Sequence, residues 1–335
     1  MQIFRFRTEF HLVVLFIALS CAGSSLQVQA SALDKPLRIP ADRPALQAAK
    51  AVSANIVSAT HAGGGDASRI VAVGDYGVVL LSDDGKSFRQ AGEVPVQSTL
   101  TDVQFLDTEH GWAVGHDGVV LSTDDGGEHW RLLRRDDAAR IPLLGVWFEN
   151  PSHGIAVGQF GMAIETQDYG KTWSVIHPAG DDAESMDMHL NGIAGVRGGP
   201  LVIVGERGLI LVSMDNGKHW EQHSTAQNGS LWNVIPLREG GFVAGGIGGH
   251  LYLSTKNGLQ WRRVKVEGQE SLNGITQFDD GSIWVAASGG LVLSSYDGGE
   301  TFNMSTRADR LPLTSIVGSA AGPILFSPIG LVGAN

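Results

Sequence analysis

Gly111-Trp112-Ala113-Val114-Gly115-His116-Asp117-Gly118-Val119-Val120-Leu121-Ser122-Thr123-Asp124-Asp125-Gly126-Gly127-Glu128-His129-Trp130 is a nearly complete copy of a unit that repeats along this chain. Gly111 to Gly115 reads as a strand. His116-Asp117-Gly118 reads as a tight turn, with glycine tolerating a positive φ. Val119 to Thr123 reads as the next strand. Asp125 to Trp130 turns again and begins a further strand, in the form Asp-x-Gly-x-x-aromatic. That closing form recurs at Asp83 to Phe88, Asp168 to Trp173, Asp215 to Trp220, Lys256 to Trp261 and Asp297 to Phe302. Successive closing aromatics lie 42, 43, 47, 41 and 41 residues apart. A period in the low forties is that of a four-stranded propeller blade.

A second pattern, Leu-x-x-Val/Ile, marks the innermost strand of each blade. It appears at Leu100, Leu143, Leu190, Leu231, Leu272 and Leu313, with a weaker copy around Ile56. Small residues at its third place suit a crowded axis. Counting inner strands predicts an all-β, seven-bladed propeller over residues 54–335, one blade more than the Asp-x-Gly count. The last blade offers three strands, Leu313 to Val317, Ile324 to Ser327 and Leu331 to Asn335. Residues 31–53 are expected to supply the rest. Leu33 to Ile39 would donate the missing outer strand and leave few open edges. Residues 41–52 would lead inward, with a short helical stretch at Ala45 to Lys50.

Residues 1–30 read as an export signal. Arg5 and Arg7 precede a mostly apolar His11 to Leu19, too short to span a bilayer, and Val28-Gln29-Ala30 offers a small-x-small cleavage site. A periplasmic or lumen-like location follows. Cys21, the single cysteine, sits where a lipid anchor would be attached, the less favoured route because Ala18 replaces the preferred larger apolar residue. Cleavage after Ala30 would leave no cysteine, so stability would rest on packing rather than disulfides. The formal net charge is −11, and the signal carries +1, leaving the exported chain near −12. An acidic chain has little general attraction for nucleic acid.

The repeated aspartates Asp83, Asp125, Asp168, Asp215 and Asp297 invite a catalytic reading. Copies spread around a ring cannot converge on one substrate. They are expected to accept backbone N–H bonds at turns, while Trp130, Trp173, Trp220 and Trp261 pack between sheets. This pattern resembles the Asp-box of bacterial-neuraminidase-repeat propellers. The unit from Gly111 to Trp130 is similar to that of the photosystem II stability/assembly factor family. The resemblance implies seven blades, export, and a monomeric scaffold that acts on a membrane protein complex or its assembly intermediate, without cofactor or metal.

The alternative is a sialidase-like glycoside hydrolase or a glycan-binding propeller. Sialidases need three carboxylate-gripping arginines and a tyrosine nucleophile paired with glutamate. Arg38-Ile39-Pro40 and Arg140-Ile141-Pro142 match their short signature, yet neither introduces an apolar strand. Of four tyrosines, Tyr169 and Tyr296 sit in Asp-boxes and Tyr252 lies mid-strand, leaving Tyr76. The absence of a catalytic set argues against an enzyme. Function is expected on the face opposite the Asp-boxes, in the irregular links between blades. Arg134, Arg135, Arg140, Arg207, Arg307 and Arg310 are the candidate partner-binding residues there, suited to carboxylate-bearing segments.

Overall fold

The computed structural model of the chain describes residues 43–225 and 228–333. The expected signal, Cys21 and the expected closing strand at Leu33 to Ile39 lie outside the described residues. Those that are described form seven antiparallel sheets, six of four strands and a last one of three. Their inner strands are Ile56–Ala62, Leu100–Phe105, Leu143–Asn150, Leu190–Gly195, Leu231–Pro236, Leu272–Gln277 and Ser315–Val317. The weak copy at Ile56 is therefore a full blade, and the sevenfold count holds.

Two expectations need correction. No helix forms over Ala45 to Lys50; a single 3-10 turn follows at Ala51–Ser53. The backbone there is bonded outward instead: Ala45 N donates to Val94 O at 2.8 Å and Ala48 N to Gln90 Oε1 at 3.0 Å. With those groups satisfied by blade one, nothing favours a helical turn. The third strand of blade seven is also shorter than expected, spanning Gly330–Leu331.

The Gly-x-x-Gly hairpin has a different reason for each glycine. At Gly115 a Cβ would lie 2.1 Å from Thr99 O. That close approach lets His116 N donate to the same carbonyl at 2.9 Å, tying the turn to the entry of the inner strand. Gly118 follows Asp117, and both have positive φ (61° and 58°), as a tight hairpin matching strand twist requires.

The inner strands explain the Leu-x-x-Val pattern. In blade two, Leu100 pairs with Gly115 and Asp102 with Val114, so Thr101 is bulged out of register. The bulge re-aims its side chain. Thr101 Oγ1 donates to Leu143 O of the next blade at 2.6 Å. The same second place supplies Asn191 to Leu231 O (2.9 Å), Asn273 to Leu313 O (2.7 Å) and Thr314 to Ile56 O (2.5 Å). The last bond joins blade seven to blade one. The third place is small because blades converge: a Cβ on Gly274 would lie 2.9 Å from Ser315 Cα.

Apolar clusters fill the gaps between neighbouring sheets. Val71 and Leu81 of blade one pack with Val103, Leu121 and Trp130 of blade two. Trp112 stacks on Phe148 of blade three at 4.0 Å between ring centres. Each such large side chain contributes about 1.5–3 kcal/mol on burial, with several dozen arranged around the ring.

Candidate partner surface opposite the Asp-boxes

Turns between third and fourth strands share one face with turns between first and second strands. The bond from Gly126 N to Glu109 O (2.9 Å) joins the two kinds within blade two. On this face the Asp-boxes are internally saturated. Asp125 Oδ1 accepts from Thr123 Oγ1 at 2.8 Å and His129 N at 3.0 Å. Asp168, Asp215 and Asp297 repeat the arrangement with Thr172 N, His219 N and Thr301 N. The box tryptophans Trp130, Trp173, Trp220 and Trp261 donate from Nε1 to the box glycine carbonyls Gly127, Gly170, Gly217 and Gly258. In the fifth box Asn257 takes over part of the task, accepting from Leu259 N at 3.2 Å.

Blade one departs from the expected assignment. Its accepting carboxylate is Asp84, which takes Lys86 N at 2.8 Å and Ser87 N at 2.7 Å. Asp83 instead pairs with Arg69 at 2.6 Å. The hydroxyl partner, Ser82, stands two residues before Asp84, as Thr123 stands two before Asp125. This box is one residue shorter, so register follows the hydroxyl rather than the first aspartate. The Ser87 and Lys86 amides hold the Asp84 carboxyl down at about 2. Bonds from the His219 ring and amide hold Asp215 at about 2. These groups are committed to their own turns.

Loops on that face also bridge blades. Asp66 N donates to Asp279 Oδ2 at 2.9 Å and Asp279 N to Asp66 Oδ2 at 2.8 Å, linking blades one and six past blade seven. Gly198 N of blade four donates to Glu149 Oε1 of blade three at 2.9 Å.

The opposite face holds the second-to-third-strand turns and the links between blades. Asp136 N donates to Asp117 O at 2.9 Å, link to turn. Arg134 ends the outer strand Arg131–Arg134 of blade two and the other five candidate arginines belong to these segments, but they divide. Arg134 Nη1 donates to Gly118 O at 2.7 Å, which buttresses the turn. Arg135 pairs with Asp137 at 3.0 Å and Arg307 with Asp309 at 2.8 Å, both largely buried. Arg207 is exposed and pairs with Glu184 at 2.7 Å. Arg140 and Arg310 are exposed, sit at positive φ (53° and 50°), and make no ion pair among the described residues. Among the six, exposed guanidinium groups outside largely buried pairs are thus those of Arg140 and Arg310, with that of Arg207 paired to exposed Glu184.

The second residue of each tight turn completes this surface. Gly248 and Gly289 take the left-handed conformation in blades five and six; Tyr76, Asp117, Phe160 and Arg207 take it in blades one to four. A non-glycine residue there costs about 1 kcal/mol or more. Asp117 answers that cost internally, accepting from Ser98 Oγ at 2.7 Å. Tyr76 and Phe160 remain 73% and 52% exposed. These aromatics were visible in the sequence as odd residues in a glycine-favoured turn. Also unforeseen is the five-residue helix Ala183–Asp187 between blades three and four. Asp182 caps it, accepting from Glu184 N and Ser185 N. It carries exposed Met186 beside Arg207.

Deeper in, Asp102 is enclosed by three inner strands, accepting from Ser58 Oγ and Val146 N, each at 3.0 Å. Burial pushes its carboxyl up to about 6, against those hydrogen bonds. No cluster of three or more His, Cys, Asp or Glu suited to a metal occurs among the described residues, and no helix there is long and apolar enough to cross a membrane. Tyr76 stands alone on its turn, and Tyr252 is buried within blade five.

The family described as "Photosynthesis system II assembly factor YCF48" matches residues 81–141 and 136–234. The chloroplastic photosystem II stability/assembly factor HCF136 of Guillardia theta is 52% identical over 40 residues. That stretch is 11% of this chain and about a tenth of the relative's length, 10%. The solved structure "YCF48 bound to D1 peptide" superposes with a TM-score of 0.65 at 18% identity, over 86% of this chain and 94% of that one. A streptogramin B lyase superposes at 0.69 with 10% identity, over 84% and 93%, so the architecture also houses an enzyme. The resemblance read from Gly111 to Trp130 holds: the chain is a seven-bladed propeller, and its residues 81–234 match the model of the photosystem II assembly factor family.

Proposed function

We propose that this protein is an exported, non-enzymatic scaffold that helps a photosystem II-type membrane protein complex assemble, holding a carboxylate-bearing partner segment on the face of the inter-blade links. The observation that carries the reading is the family match across residues 81–234, which contains the irregular links after blades two and three. The division of the molecule supports it. Asp-box carboxylates are committed internally, whereas Arg140, Arg207 and Arg310 point cationic groups outward in an acidic chain. Guanidinium groups bind carboxylates through paired, directional hydrogen bonds. A relative bound to a D1 peptide suggests the kind of segment to try first.

The test is capture of a synthetic D1 peptide, and of detergent-solubilised photosystem II assembly intermediates, by the purified protein. Arg140→Glu with Arg310→Glu should abolish capture while leaving folding intact. Capture that survives both substitutions sinks the arginine assignment, and no capture by the wild-type protein sinks the function. Turnover of a fluorogenic sialoside that disappears in Tyr76→Phe would replace the scaffold reading with a glycosidase.

A further inference from the structure

The segment leading into the propeller and the tight turn of blade one enclose a concave site of about 340 Å³. Leu46, Ala51, Tyr76, Val78 and Gln97 line it, with Lys50 among them. Ala51 and Val78 are buried and form an apolar floor, while Leu46 and Tyr76 are each 73% exposed at the rim. The walls are tied in place. Gln97 Nε2 donates to Pro44 O and Gln90 Nε2 to Leu46 O, both at 2.9 Å. Large apolar side chains held at the rim of a cavity are what an anchoring side chain of a partner would cover. Tyr76 adds a second sign: it accepts a left-handed backbone (φ 58°) where glycine serves in blades five and six, while its side chain stays 73% exposed.

Charge narrows the occupant. Lys50 and Arg43 are exposed and make no ion pair among the described residues, in a chain of net charge −11. The neighbouring carboxylate, Asp75, is already bonded to Thr99 Oγ1 at 3.0 Å and Asn55 Nδ2 at 3.3 Å. We infer that this site receives an extended segment of a partner protein, seating an apolar side chain on the floor and placing an adjacent carboxylate against Lys50. The inference rests on the reading that this face receives a partner, and deepens it by naming a second anchor away from the arginines.

The probe is the peptide acetyl-Ala-Ala-Leu-Glu-Ala-Ala-amide, titrated into the isotope-labelled protein and followed by amide chemical shifts. Saturable millimolar shifts at Leu46, Lys50, Tyr76 and Gln97 are expected. Replacing the peptide's leucine by serine should remove them. Lys50→Glu in the protein should weaken binding by about threefold. Tyr76→Gly should weaken it by about fivefold while the melting temperature holds or rises, because strain is relieved. Absence of saturable shifts, or equal shifts with the serine peptide, overturns the inference. So does binding that appears only after residues 31–42 are deleted, which would assign the site to the chain's own leading segment. If photosystem II intermediates are captured by wild type, Lys50→Glu and Tyr76→Gly alike, this site fails while the proposed function stands.

Discussion

The two faces of the ring use similar loops in opposite ways. Each Asp-box turn closes on itself: Thr123, Asp125, Gly127 and Trp130 bond one another, and the aromatic fills the gap between sheets. The tight turns and links on the other face hold their backbone equally well, but Tyr76, Arg140 and Arg310 carry unusual φ values with exposed side chains, and Phe160, at φ 55°, is half exposed beside His189. Regularity on one face maintains the ring. Irregularity on the other has no such role. Tyr169, at φ 70° and 60% exposed in the third Asp-box, shows that strain with exposure occurs on both faces. It is the clustering of such residues among irregular links that points to a contact made with something else.

That contrast can be broken by substitution. The largest effect is expected on the Asp-box face. Trp130→Ala removes a side chain only 4% exposed and should cost about 3–5 kcal/mol in urea unfolding. It should leave partner affinity unchanged in the fraction that remains folded; an undiminished midpoint would refute the packing role. Next comes Asp102. Burial raises its folded-state carboxyl to about 6, above an unfolded value near 4. A raised acid favours the folded state while protonated, so stability declines as pH climbs from about 4 to about 6 and stays low above that. Asp102→Asn should therefore add about 1–3 kcal/mol at pH 7.5 and nothing near pH 4, read as melting temperatures at the two values.

Asp125 has the opposite sign. Burial raises it, but the His129 amide and ring and the Thr123 hydroxyl together bring it below its ordinary value. Its contribution is complete above the unfolded value and fades as pH falls through the lowered one. Asp125→Ala should cost about 1 kcal/mol at pH 7, and the difference from wild type should narrow as pH falls below the ordinary aspartate value. A gap that stays constant with pH would show that the carboxylate's charge is irrelevant. The smallest stability effects belong to the other face. Phe160→Gly relieves a left-handed backbone and should leave stability unchanged or raise it by up to about 1 kcal/mol, and Arg310→Glu should alter unfolding by less than about 0.5 kcal/mol. If either weakens partner capture as well, the division between faces is sharpened; if Asp125→Ala weakens capture as much, it collapses.

The sequence was legible wherever a physical constraint repeats. Glycines were read correctly because the same close approach and the same left-handed turn recur in blade after blade. Asp83 was misassigned because an Asp-Asp pair offers two carboxylates, and only the hydroxyl two residues upstream selects Asp84. The Ala183–Asp187 helix was missed because five residues give no periodicity, although Asp182 followed by Glu184 and Ser185 carries a capping signature. The bulge at Thr101 was invisible, since the hydrogen bond that rewards it goes to a blade 42 residues onward. The six arginines looked equivalent in sequence; only their partners in space separate Arg134 and Arg307, held internally, from Arg140 and Arg310.

A closed ring must tear somewhere before it can unravel. Side chains stitch blade two to three, four to five, six to seven and seven to one through Thr101, Asn191, Asn273 and Thr314. At the equivalent place blades one, three and five present Val57, Leu144 and Trp232, which make no such bond among the described residues; Ser58 Oγ, donating to Asp102 Oδ1 at 3.0 Å, holds blade one to blade two instead. The seam between blade seven and blade one is thus reinforced. Opening should begin mid-chain, between blades three and four or five and six. Amide hydrogen exchange would then be fastest at interior seams, and trimming the C-terminal strand would matter less than its position at the end of the chain suggests.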